Sequence, residues 1–389
     1  MGRFDTLAGR VLQAYKNYNG KEPLYLWLKE YYRQNKQMGS TDRKLFSALF
    51  FGLFRFKGGR PVRPDEDMIN MAACLQWPLP AAYGNYLTEK DERYRKVMDL
   101  AEAHQWAEAA QLAGWEEEGY FPMAGSVSDA IDRIQLELAH LHPSHVWIRV
   151  RSGFEKEVGE ELRAAGYEWE EIQPRCWRMK GHYPLHTSKT WEAGKFELQD
   201  IASQETATGM HPESGQAWFD CCAGAGGKSL MLLDKCADIS LTVNDTRPDM
   251  LDELQRRLVK AGLPLPKTMQ ADLSLGIYEG LGPFDGIIAD LPCTGSGTWG
   301  RAPERLHFFR EEEIAKYAAL QLDITSQAYK VLKPEGKLFY ITCSVFREEN
   351  EENIDRITAN LPLKCTSQTY HFHHPDGGDT LFVAELEKA

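Results

Sequence analysis

The chain has 389 residues, 43% hydrophobic and 26% charged, a globular composition that excludes wholesale disorder. Its longest apolar run, Leu45 to Phe56, is interrupted by Ser47 and Arg55 and is too short to span a bilayer, so no membrane role is expected. The net charge is −12, yet residues 1–63 carry 13 Lys and Arg against 4 Asp and Glu, so a +9 segment precedes a body of −21. A basic end on an acidic body permits local phosphate binding, although a solvated helical surface would carry the same charges.

The first 125 or so residues read as helical. Leu7, Val11, Leu12, Tyr15 and Tyr18 lie at helical spacing, as do Leu45, Leu49 and Leu53. Thr41-Asp42 offers an N-cap for the second of these helices, and Gly58-Gly59 ends it. Asp65 to Pro80 holds a further short helix, and Glu89 to Gly114 one or two more. From Ser144 the character changes. His145 to Val150 alternates like a strand, Glu155 to Ala165 reads as a helix, and Trp177 begins another strand. This is a small αβ unit.

From Gly215 short apolar runs alternate with helical stretches: Ala217 to Cys221, Leu241 to Val243, Phe284 to Ala289 and Leu338 to Thr342. That alternation is the signature of a parallel, doubly wound sheet. Leu363 to Phe372 and Leu381 to Leu386 then form a hairpin, which makes the last strand antiparallel. The expected domains are 1–125 (helical), 140–212 (small αβ) and 213–389 (Rossmann-like).

The chemistry gathers at the carboxyl ends of those runs. Asp220 to Ser229 is a strand, a glycine-rich turn and a helix start. A P-loop would need Gly at Cys222, and a dinucleotide fingerprint from Gly224 would need Gly or Ala at Ser229, so both readings fail. What remains is backbone closely approaching a nucleoside-type ligand. Asp245, 25 residues after Asp220, can accept hydrogen bonds from ribose hydroxyls, and Asp272, expected at the end of a third strand, can touch an adenine edge. Asp290-Leu-Pro-Cys-Thr-Gly-Ser-Gly297 and Thr342-Cys343-Ser344 each put a cysteine after a parallel strand. Arg347 to Asn353 begins a helix, whose positive end would favour a Cys343 thiolate. None of the eight cysteines forms a CxxC pair and the N-terminus lacks an apolar signal core. No metal site or disulfide framework is therefore expected, and the compartment is read as a reducing cytoplasm.

These segments resemble the motifs of the Sun-type RNA 5-methylcytosine methyltransferases, the family of ribosomal small-subunit methyltransferase B. Cys222 to Lys228, Pro292 to Gly297, Thr342 to Ser344 with Glu349-Asn-Glu351, and Gly194 to Gln204 carry the likeness, and Arg301, Pro303 and Gln321 fall where the family has such residues. Ser40 to Phe46 with Phe51 to Arg55 resembles a NusB-like RNA-binding domain. Ala225 stands where Pro is usual, Gly224 where Ala is usual, and Asp379-Thr-Leu-Phe departs from the Asp-Gly-Phe-Phe pattern.

The resemblance implies a Rossmann-like methyltransferase that methylates C5 of a cytosine in RNA, ribosomal and by preference small-subunit, through a covalent bond from cysteine to C6. It implies Cys343 as nucleophile, Cys293 as the thiol assisting product release, and Asp290 holding the cytosine edge beside the methyl donor. It also implies S-adenosylmethionine on Cys222, Ala223, Gly224, Ala225, Gly226, Gly227, Lys228, Asp245, Asp272 and Asp290. A monomer is expected. Two other readings stay open: a DNA cytosine-C5 methyltransferase, in which Cys293 would be the nucleophile, and a non-catalytic RNA-binding assembly factor.

Overall fold

A computed structural model describes residues 2–76, 79–181, 183–277 and 280–389. The chain forms two compact units, one of residues 1–144 with 298–311, the other of residues 145–297 with 312–389.

The first unit is helical. Its centre is the helix Ser40–Lys57, which buries Leu45, Phe46, Leu49, Phe50, Leu53 and Phe54. Aromatic rings from Arg3–Asn17 and Leu24–Gln34 close around it, with Tyr15 at 5.6 Å from Phe54 and Tyr31 stacked on Phe46 at 5.1 Å. The cap is Gly39, so Thr41-Asp42 lies inside the first turn, where Asp42 meets the positive helix end; Gly58 ends the helix as expected. Asp65 caps Glu66–Cys74 by accepting from the Met68 N–H at 2.8 Å. The helices Leu24–Gln34 and Ala81–Lys90 escaped the sequence reading. Each starts after a proline and buries only two side chains, which leaves little apolar periodicity to read.

Three of the thirteen basic residues face inward. Arg55, Lys57 and Arg60 are buried and donate to carbonyls: Arg55 to Gly300, Lys57 to Arg60, and Arg60 to Phe56 at 2.6 Å. The segment Thr298–Glu311 is seated in this unit. Trp299 is buried and stacks on Phe121 at 5.4 Å, Glu304 accepts from the Leu24 N–H at 2.9 Å, and Phe308 meets Tyr18 edge-on at 5.4 Å.

The second unit holds two sheets. The smaller is antiparallel, in the order β2-β3-β1-β4, with β1 Val146–Val150, β2 Trp169–Gln173, β3 Cys176–Met179 and β4 Phe196–Leu198. The larger has seven strands: β5 Ala217–Asp220, β6 Ser240–Asn244, β7 Lys267–Met269, β8 Phe284–Asp290, β9 Leu332–Thr342, β10 Leu363–Phe372 and β11 Thr380–Lys388. Their order is β10-β11-β9-β8-β5-β6-β7; β5 to β9 run parallel, and β11 pairs antiparallel with both β9 and β10. The expected alternation and antiparallel final strand are both present.

The chain runs outward from β5 through β6 to β7, then returns to β8 on the other side of β5. The switch point therefore lies between β5 and β8, where open sheets bind ligands. β7 ends at Met269, so Asp272 is not at a strand end; it caps the 3₁₀ turn Leu273–Leu275.

Candidate functional site

The turn after β5 is shaped by backbone. Gly226 has φ +82° and starts the helix Gly227–Lys235; a Cβ there would lie 2.6 Å from Leu254. The Gly224 N–H donates to Asp245 Oδ2 at 2.8 Å, and the Ala223 N–H to the Asn244 carbonyl at 2.8 Å. Asn244, buried, ties three loops together. Its Nδ2 donates to the carbonyls of Cys221 and Ala271 at 3.0 and 3.1 Å, and its Oδ1 accepts from the Ala271 N–H at 2.9 Å. Ala225, at the family's proline position, has its carbonyl held by Arg257 Nη1 at 2.5 Å; Arg257 in turn pairs with the buried Glu197 of β4 at 2.8 Å. Long-range contact thus supplies the restraint that the pyrrolidine ring would otherwise give.

Two carboxylates at this turn titrate in opposite directions. Burial pushes Asp220 up to about 7, partly offset by the Ser229 hydroxyl donating at 2.7 Å; its Oδ1 has no hydrogen-bond partner. Asp245 is lowered: burial acts against it, but hydrogen bonds from Arg247 and from the Gly224 N–H outweigh that cost. Arg247 is itself mostly exposed, 61% by side chain, so it can leave the carboxylate to other donors. A glycine turn with an ionised carboxylate on one flank and an orphaned buried carboxylate oxygen at its base suits the polar groups of a nucleoside cofactor. Asp272 is exposed and satisfied locally, accepting from the Ser274 N–H at 3.0 Å and hydroxyl at 2.6 Å.

The second half of the site stands at the ends of β8 and β9. Cys293 and Cys343, 50 positions apart, bring their sulfurs to 3.2 Å. Burial and the contact with Cys343 push the Cys293 thiol well above its ordinary value, the sulfur contact being the larger cause. Asp290 ends β8, and Lys228 Nζ pairs with its Oδ2 at 3.0 Å. A chain of contacts reaches Lys228 from the small sheet: Arg149 Nε donates to Gln199 at 2.8 Å, Gln199 to Ser203 at 3.3 Å, and Lys228 also donates to Ser203 at 3.0 Å. Arg149 and Arg151 both pair with Asp234, at 2.6 and 2.7 Å. The Gly194–Gln204 stretch therefore orients the lysine that faces Asp290.

Seven residues separate Cys343 from the helix Glu351–Asn360, with a 3₁₀ turn Arg347–Glu349 between, so the expected seat just before a helix N-terminus is absent. A buried polar network holds the thiol loops instead. Glu349 accepts from the Thr294 N–H and hydroxyl, the Ser344 hydroxyl and Gln321 Nε2. Gln321 also donates to the Pro292 carbonyl at 3.0 Å and accepts from Tyr340. The Gly297 N–H donates to the Cys343 carbonyl at 2.8 Å, and a Cβ on Gly297 would lie 2.1 Å from the Thr380 carbonyl. Glu349 and Asn244 were not singled out as site residues from sequence: each works through loops 20 to 60 positions away, which local patterning does not report. Arg301 and Pro303 lie in the helical unit.

Residues 207–386 match the model of the RsmB/F family of 16S rRNA methyltransferases. That stretch, just under half of the chain, is what carries the likeness to the family. It is 24% identical over 373 residues to ribosomal RNA small subunit methyltransferase B of Xylella fastidiosa, covering 91% of this chain and 83% of the relative. Among solved structures, PH0851 shares the fold across 97% of both chains, with a TM-score of 0.71 and 20% identity. NSun6 from Pyrococcus horikoshii, solved with SFG, an S-adenosylmethionine analogue, covers 66% of this chain and 94% of its own, with a TM-score of 0.58 and 18% identity. Residues 207–386 thus form an S-adenosylmethionine-dependent methyltransferase domain.

Proposed function

We propose that this methyltransferase modifies C5 of a cytosine in ribosomal RNA, of the small subunit, through a covalent intermediate on Cys343. One observation carries the reading: two thiols 3.2 Å apart at the ends of adjacent parallel strands, with Asp290 at the head of the same loop. C5 of cytosine is a poor nucleophile, and adding a thiolate at C6 makes it enamine-like. Cys343 Sγ bonds to C6, and the displaced electron pair gives C5 its nucleophilic character. S-adenosylmethionine, held at the glycine turn, would supply an electrophilic methyl group to C5 and be left as S-adenosylhomocysteine. A water molecule then takes the C5 proton, its bonding pair restores the C5–C6 double bond, and the C6–S bond breaks to return the thiolate to Cys343.

Cys293 is suited to the other role. With its sulfur 3.2 Å from that of Cys343, it can give its S–H hydrogen bond to the departing thiolate during elimination. Asp290, kept in place by Lys228, holds the cytosine edge. Cys222 to Lys228, Asp245 and Asp272 hold the cofactor. The base must leave any stack to enter such a site. The helical unit, read as NusB-like, supplies RNA affinity.

Trapping on RNA tests the assignment, because the two thiols have opposite variant phenotypes. Cys343→Ala is expected to abolish methylation and to form no adduct. Cys293→Ala is expected to transfer the methyl group but stall at elimination, leaving a protein–RNA band that survives denaturing detergent. An adduct lost with Cys293 and kept with Cys343→Ala would reverse the roles and favour the DNA-type arrangement. Bisulfite sequencing of RNA from cells lacking the protein would identify the cytosine.

A further inference from the structure

Glu349 is a fully buried carboxylate, and among the described residues no cation pairs with it. Such a group is costly unless its oxygens are saturated by donors. They are. Oε2 accepts from the Thr294 N–H and from Gln321 Nε2, both at 3.0 Å, and neither of these donors can act as an acceptor. Oε1 accepts from the hydroxyls of Thr294 and Ser344, both at 2.5 Å. Burial raises this carboxyl above its ordinary value, and the four donors act against that by favouring the charged form. Thr294 follows Cys293, Ser344 follows Cys343, and Gln321 comes from the long helix Glu312–Lys330. One side chain therefore grips the residue next to each thiol.

A neutral glutamine could satisfy the same shape, since both hydroxyls can turn to accept. The carboxylate adds a negative charge one residue from each thiol, but it is held to the Cys293 loop at two points, the Thr294 N–H and hydroxyl, and to the Cys343 loop only by the Ser344 hydroxyl, so it opposes a negative charge most on Cys293. We propose that Glu349 is the positioning residue that sets the spacing of the two thiols and, by its charge, keeps Cys293 protonated so that attack falls to Cys343. This rests on the covalent reading above, but its test does not use RNA chemistry. The position of Glu349 among the causes that raise the Cys293 thiol agrees with the geometry.

The experiment is site-resolved alkylation of the full-length protein by iodoacetamide at constant pH, with the Cys293 and Cys343 peptides separated by mass spectrometry. Glu349→Gln is expected to speed Cys293 about five-fold relative to Cys343, because a like charge has been removed. It should also lower kcat by about ten-fold with KM for RNA unchanged, as for a group that acts only at the reacting centre. An unchanged thiol ratio overturns the proposal whatever happens to kcat. If the Gln variant does not fold, Glu349→Asp decides. It keeps the charge but withdraws the oxygens from their donors, so Cys293 should stay slow while kcat falls; a Cys293 as fast as Cys343 overturns the proposal. If methylation turns out not to be at C5 of cytosine, the alkylation ratio still reports on Glu349, so the two readings fail separately.

Discussion

The glycine turn after β5 and the thiol loops after β8 and β9 occupy the same edge of one sheet, yet they are held in opposite ways. The turn is shaped mostly by backbone, with left-handed glycine, N–H groups aimed at neighbouring loops and Asp245 clasped by an exposed arginine, while Asn244 and Arg257 add side-chain ties. The thiol loops are made of side chains. Glu349, Thr294, Ser296, Ser344, Gln321, Asn350 and Asn353 are all buried and bonded to one another or to nearby backbone. A turn made of backbone tolerates change in the residues that flank it, whereas a buried network leaves an unpaired group behind whenever one member is removed. The glycine-turn half should therefore bend under mutation, and the thiol half should break.

The largest effect is expected at Gly297. A methyl group there would lie 2.1 Å from the Thr380 carbonyl and 3.0 Å from the Cys343 carbonyl, both backbone atoms that cannot swing away. Gly297→Ala should abolish methyl transfer while leaving cofactor affinity within about two-fold, since only the thiol loop is displaced. Activity like that of the wild type would show the thiol loops to be more pliant than their network implies.

Asp245→Ala tests the other half. It should weaken cofactor binding, measured by calorimetry, by about 1–3 kcal/mol through lost ribose hydrogen bonds, and leave thiol alkylation as it was. Unchanged affinity would remove Asp245 from the cofactor site.

A smaller effect is expected from the helical unit. The thiol loop runs on into Thr298–Glu311, whose Gly300 carbonyl accepts from the buried Arg55. Arg55→Met leaves that carbonyl unpaired and should lower kcat several-fold, with cofactor affinity intact; loss of about 1–3 kcal/mol is usual for an orphaned buried acceptor. If only RNA affinity falls, the helical unit is an RNA tether and no more.

The smallest effect is one of pH. Asp220 is raised to about 7 by burial, so its folded form holds a proton that the unfolded chain has released. Its contribution to stability is full below about pH 4, the unfolded value, and is lost as pH rises through about 7. Wild-type protein without cofactor should lose on the order of 2 kcal/mol between pH 5 and 8 from this group, and Asp220→Asn should remove that slope in thermal melts. A slope unchanged in the variant would place the titration elsewhere.

How much of this was legible in sequence differs between the same two halves. The glycine turn, Asp245 and the strand that feeds them were readable because each is local: an apolar run, a glycine cluster, an acid at the next strand end. Asp272 was misplaced by three residues because β7 is only Lys267–Met269, too short to show alternation. In the thiol half the two Pro-Cys and Thr-Cys-Ser motifs were visible, but the helix expected right after Cys343 was not there, since Arg347–Glu349 turns as 3₁₀ first. The small sheet was half seen: β1 and β3 carry buried apolar residues, whereas β2, Trp169–Gln173, is largely exposed and polar.

By itself the sequence determined the alternation that makes a parallel sheet, the hairpin that ends it, the glycine turn and the presence of two cysteines after strands. These depend on patterns a few residues long, set by backbone sterics and by which face of an element is apolar. Tertiary structure alone decided that the two sulfurs meet at 3.2 Å, that Glu349 joins their loops, and that Arg257 restrains the turn at Ala225. It also decided that Thr298–Glu311 returns to the helical unit. Each of these is a pairing across tens to hundreds of residues. Its energy comes from burial and from saturating polar groups that water no longer reaches, and no short window of sequence records which partner will do so.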